Sequence, residues 1–178
     1  MSRNSSVVLI ALALLVVIGA GGVFFAMKEE ANGGVGSNQE ACELLTLEEA
    51  KSLLNDTAKK SASGEVRTEE TDNLKITNCN YVTQGSGLSD VWTVNLEVRS
   101  AKTGAGAADN ASYFPPNNTE GQQVAGYGDE ALWDAYSGQL TVLQDNNFYL
   151  VSMTKGFGGN TVTLSDVQQA AEAVGVKN

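Results

Sequence analysis

The stretch Val91-Trp92-Thr93-Val94-Asn95-Leu96-Glu97-Val98-Arg99 alternates without a break. Trp92, Val94, Leu96 and Val98 fall on one side of an extended chain, and Val91, Thr93, Asn95, Glu97 and Arg99 on the other. A period of two marks a half-buried strand of an antiparallel sheet. Working outward, LKITNCNYVTQ (residues 74–84) reads as a pairing partner, with GSG (85–87) as the turn between them. GEVRTEE (64–70) is a weaker strand. Downstream, Leu132 and its neighbours, QLTVLQ (139–144) and FYLVSMT (148–154) form a meander. Its last turn runs through Asp145, Asn146 and Asn147, residue types that tolerate left-handed angles. The expected fold is therefore α+β, with an antiparallel sheet of about five or six strands.

Two helices pack that sheet. LLTLEEAKSLLNDT carries Thr46 as a cap with Glu49 three residues on, the spacing of a capping box, and an apolar stripe of Leu47, Ala50, Leu53 and Leu54. In TLSDVQQAAEAVGVKN, Ser165 and Gln168 offer a second capping box, and Val167, Ala170, Ala171 and Val174 a face of small residues. Between the sheet's halves, residues 100–123 are a long loop with room for one short helix near Ala107–Tyr113; Pro115 and Pro116 stop it. The acids of GYGDEALWDAYSG (126–138) suggest chemistry, but Asp129 and Glu130 are adjacent, and adjacent strand residues point to opposite faces. Paired-carboxylate catalysis needs both aimed at one atom. Ala131 and Trp133 share one face and Glu130, Leu132 and Asp134 the other, so this is a sheet corner with Trp133 as a core anchor.

Ahead of the domain, Val7 to Met27 contain no charge. Such a helix reaches roughly 31 Å, the thickness of bilayer hydrocarbon. Arg3 and the amino terminus precede it, which predicts the N-terminus inside and the rest outside. The run exceeds a signal-peptide core, so an uncleaved anchor is preferred; the alternative is secretion after cleavage through Ala20 and Gly22. The expected order is a short cytoplasmic N-terminus (1–6), a transmembrane anchor (7–27), a glycine-rich tether (28–39) and an extracytoplasmic domain (40–178).

All 21 Asp and Glu follow residue 28, against nine of the 11 Lys and Arg, so the exported part carries about −12. That charge repels phosphate backbones and argues against nucleic acid as a partner. Cys42 and Cys79 both lie in that part. Outside the cytoplasm one disulfide is the default. A metal pair or a catalytic thiol are the alternatives, each weakened by the absence of any histidine. A Ser-His-Asp triad is excluded on the same ground. KGFGGN (155–160) lacks the order of a phosphate-binding P-loop, and DNN and DNAS lack the alternating oxygens of a calcium loop and read as turns. NDT, NAS and NNT fit the glycosylation rule.

A cysteine ahead of LLTLEEAKSLL, a second in CNY, then GYGDEALW before a hairpin and a final alanine-rich helix resemble a family of actinobacterial cell-envelope lipoproteins of unknown function. More loosely, they resemble the extracellular sensor domain of certain mycobacterial receptor kinases. The likeness spans about Cys42 to Val174. It implies an exported α+β domain with helices on an antiparallel sheet and a Cys42–Cys79 disulfide, and it supplies no catalytic residues. The family's lipid-anchoring cysteine is missing, so the hydrophobic span would stand in for it.

The expectation is a membrane-anchored, extracytoplasmic binding or sensor-like domain of the cell envelope, not an enzyme, without metal or cofactor. Its partner would be an envelope protein or a small ligand. The candidate binding residues are the loop aromatics Tyr113, Phe114, Tyr127 and Phe157. The alternative is an accessory subunit that docks on a membrane complex through its span, where Gly19 to Gly22 permit close helix packing.

Overall fold

The structure, a computed structural model, describes residues 38–62, 68–85, 87, 90–114, 121–156 and 162–177. Among these no helix is long and apolar enough to cross a membrane; the expected anchor (7–27) and nearly all of the tether lie outside them, as does Phe157.

In chain order the elements are α1 (Ala41–Leu44), α2 (Leu47–Leu53), β1 (Lys59–Lys60), β2 (Thr68–Glu70), β3 (Leu74–Val82), β4 (Trp92–Ala101), α3 (Gly104–Tyr113), β5 (Gln122–Gln123), β6 (Glu130–Asp134), β7 (Gln139–Gln144), β8 (Asn147–Lys155) and α4 (Leu164–Ala173). The strands form one eight-stranded sheet, ordered β1-β3-β4-β8-β7-β6-β5, with β2 also paired to β3. Every pairing is antiparallel. The strand number exceeds the expected five or six because β1 and β5 are two residues long, too short to show a period.

The alternation of residues 91–99 sets the sheet's two faces. Val94, Leu96 and Val98 are fully buried. Register carries their side across five strands, in rows such as Cys79–Leu96–Val151–Leu140–Trp133 and Thr77–Val98–Tyr149–Val142–Ala131. The same core cluster takes Ala41, Leu45 and Ala50 from the N-terminal helices and Val167, Ala170, Ala171 and Val174 from α4 and its cap. Small residues let α4 lie close on β7 and β8.

Capping chemistry fixes the helix starts. At α2 the Glu49 N–H donates to Thr46 Oγ1 (3.3 Å) and the Thr46 N–H to Glu49 Oε2 (2.7 Å). At α4 the expected Ser165–Gln168 box is replaced by Thr163 and Asp166, whose bonds are 3.3 and 2.7 Å. An ionised carboxylate three residues past the cap satisfies the orphan N–H and the helix dipole better than an amide, and the earlier start sets Leu164 against the core. Among the turn residues, Asp145 and Asn146 take φ of 50° and 66°, so the tight β7–β8 hairpin turns on the residue types that tolerate it.

The cysteines form a disulfide, Cys42–Cys79. It ties α1 to the core face of β3, beside a hydrogen bond from the Ala41 N–H to Thr77 Oγ1 (2.9 Å). Gln39, just ahead of the expected domain start at residue 40, is already tied to the sheet. Tyr149 Oη donates to Gln39 Oε1 (2.6 Å) and Ser100 Oγ to the Gln39 carbonyl (3.2 Å).

Tyr127 belongs to this core. It is 5% exposed, and its hydroxyl donates to Glu172 Oε1 (3.1 Å), joining the glycine corner to α4. Gly128 holds φ of +49°, and a Cβ there would run into the Leu143 carbonyl, which is why the corner needs glycine. Burial first, then Glu172, pushes the Tyr127 phenol from about 10 up to about 12. Because the folded value is the higher, stability is intact below pH 10 and falls as pH climbs from 10 through 12. Tyr127→Phe is expected to cost about 1 kcal/mol at neutral pH and to flatten that alkaline fall. Urea melts at pH 7 and 11 check both.

Candidate functional site

The second face of the sheet is built differently. Among the described elements α3 alone covers it, at one end. Asn110, on α3 and fully buried, donates Nδ2 to the carbonyls of Arg99 and Asn146 (both 2.8 Å) and accepts from Arg99 Nε (3.2 Å). Arg99 also bonds Asp109 (3.0 Å), and its guanidinium lies 4.0 Å from the centre of the Tyr113 ring. Tyr113 in turn meets Phe148 edge-on, ring centres 5.2 Å apart. The helix starts three residues before the expected Ala107 despite its two early glycines, because Thr103 caps it and a Cβ at Gly106 would collide with the Asn73 carbonyl. DNAS, expected to be a turn, therefore lies within α3, and the asparagine of its NAS triplet is buried and fully bonded.

Beyond α3 no other described helix covers the face. Register gives two rows across it: Asn80–Asn95–Ser152–Gln139–Asp134 and Asn78–Glu97–Leu150–Thr141–Leu132–Gln123. Asn78, Asn80, Asn95, Glu97, Gln139 and Ser152 are all half-buried. None of these six side chains bonds another described residue, and none hides an unsatisfied atom, so their polar groups meet solvent. Asp134 differs. The Ser137 hydroxyl (2.6 Å) and the Tyr136 N–H (2.8 Å) engage its carboxylate and hold it below the usual carboxylate range. This Asx turn presents Tyr136 at 90% exposure at the margin of the first row. Toward β5 and β6 the face runs into a cleft of about 420 Å³, lined by Phe114, Gln123, Leu132, Asp129 and Glu130 among others.

The four aromatics singled out in the sequence do not converge. Phe114 is buried at 6% exposure and walls the cleft; Tyr113 is 55% exposed and stacked on Arg99. Tyr127 is in the core beneath the opposite face, and Phe157 lies outside the described residues. Reading the apolar half of each strand pattern missed the polar row residues. A signal was present: asparagine is disfavoured in strands, yet Asn78, Asn80 and Asn95 sit at the middle of the two longest-paired strands. Violations of local propensity gather at functional sites. Among the described residues no three acids or cysteines cluster as metal ligands.

No family model matches the chain, and no curated protein or solved structure is significantly similar to it.

Proposed function

We propose that the protein is an extracytoplasmic binding domain, tethered to the membrane by residues 7–27, and that the open sheet face with its cleft is where it binds. The observation that carries this is the set of six half-buried polar side chains, in register on four adjacent strands, with no partner among the described residues. A strand face kept merely for solubility gains nothing from asparagine, which lowers strand propensity. The disulfide supports the exported address, since such bonds persist where the surroundings are oxidising. The absence of histidine supports binding over catalysis; Asp129 and Glu130 both line the cleft, but Asp129 is engaged by the Asp145 N–H (3.1 Å).

The test is the full chain in detergent micelles, retained on cell-envelope polymer, against a triple variant Asn78→Ala, Asn95→Ala, Glu97→Ala. These side chains support no other described residue, so the variant should melt within a few degrees of wild type. Retention is expected to fall at least about tenfold, the loss of roughly 1.4 kcal/mol of binding. A folded variant that is retained as well as wild type disposes of this surface.

A further inference from the structure

We propose that the open face recognises a neutral, hydroxyl-rich chain, that is, a glycan laid across the strands. This rests on the binding role proposed above and adds the ligand's chemistry. Primary amides both donate and accept, as do sugar hydroxyls, so Asn78, Asn80, Asn95 and Gln139 can each meet a hydroxyl in either sense. Glu97 and Ser152 complete a surface that reads hydroxyl positions rather than charge.

Charge decides against the other polymers. Neither open row contains a lysine or arginine. Arg99 is taken by Asp109, Asn110 and Tyr113, and Lys59, which pairs with Val82 two residues from Asn80, stands at the rim of the face beside the end of the first row. A phosphate- or carboxylate-bearing ligand lying along the rows would find a single counter-charge, Lys59 at the rim, on a chain whose formal net charge is −10. A basic peptide would want several free carboxylates along the strands; the two rows hold one, Glu97, because Asp134 is spent on its own turn, and Asp129 and Glu130 lie off the rows in the cleft. Leu150 and Leu132 stand between the polar groups in the second row and offer apolar footing for the C–H faces of sugar rings. Strands lie about 4.8 Å apart, close to the length of one pyranose, so successive rings of a chain crossing the strands meet equivalent groups.

The experiment uses the isotopically labelled full chain in micelles, watched through the side-chain amide resonances of asparagine and glutamine. The probes are neutral hexasaccharides of glucose, mannose and galactose, a polyuronic acid oligomer, and a lysine-rich peptide. At least one neutral hexasaccharide is expected to move the amides of Asn78, Asn80, Asn95 and Gln139. Asn95→Ala with Glu97→Ala should weaken that binding about tenfold or more, and added salt should leave it unchanged. If only the peptide or the uronate moves those amides, the face binds but the glycan assignment is overturned. If no probe moves them, or the shifts survive the double variant, the glycan and the binding face fall together.

Discussion

Replacing both Cys42 and Cys79 with alanine should lower the unfolding free energy by about 4 kcal/mol. The two residues are 37 apart in sequence, so the bond closes a loop of that length in the unfolded chain and removes its freedom there. The folded state has other ties at the same place. The Ala41 N–H bonds Thr77, Gln39 is held by Tyr149 and Ser100, and Lys75 pairs with Glu40 at 2.5 Å. Those ties keep α1 on the sheet in the variant, and most of the loss is then felt through the unfolded state. The m-value should rise accordingly, since an uncrosslinked chain exposes more surface. A domain of this size has roughly 5–15 kcal/mol to lose, so the midpoint in urea drops far enough to measure without the protein unfolding at rest. Reducing the wild type should give the same curve as the double variant. A loss under about 1 kcal/mol would show that the loop is already constrained when unfolded.

That bond also shows how far composition can carry a structure. The two cysteines, the missing histidine and the expected export behind residues 7–27 sufficed to expect a staple between the lead-in of the first helix and the strand bearing Cys79. The alternation of residues 91–99 gave the buried face, since Val94, Leu96 and Val98 have no other way to leave water together. Three things could not be read this way. β1 and β5 are held by register with their neighbours, not by their own residues. The α4 start was ambiguous because Thr163–Asp166 and Ser165–Gln168 have the same spacing, and only packing of Leu164 separates them. The open face was hidden for a deeper reason. A polar residue opposite an apolar one satisfies the strand pattern whatever it does, so periodicity cannot tell a recognition surface from a wet one. Register adds what the period lacks: it places Asn80, Asn95, Ser152 and Gln139 side by side from two strand pairs, β3–β4 and β7–β8, that are far apart in the chain.

Asn110→Ala is expected to cost at least about 3 kcal/mol, and to spend it locally. The substitution deletes three hydrogen bonds at a fully buried site, takes a partner from Arg99 Nε and from the Arg99 and Asn146 carbonyls, and leaves Arg99 tied to α3 only through Asp109 and Tyr113. Each buried polar group left without a partner costs about 1–3 kcal/mol. α3 has little of its own to set against this, with two glycines in its first turn and a weakly amphipathic sequence. The sheet does not depend on it, since the core cluster lies on the other face. Hydrogen exchange should therefore show residues 104–113 losing protection while β4, β7 and β8 keep theirs. Asn110→Asp makes the sharper comparison. An aspartate pairs with Arg99 more strongly, but two of the three bonds are donations to carbonyl oxygens, which a carboxylate cannot make and which would repel it. If the clamp works as its geometry implies, aspartate rescues little of the loss. Full rescue would mean that the pairing with Arg99, not the grip on the β4 and β7–β8 backbone, holds α3 down. The amide is then needed at this position for the same reason it is useful on the open face: it gives and takes hydrogen bonds without bringing charge.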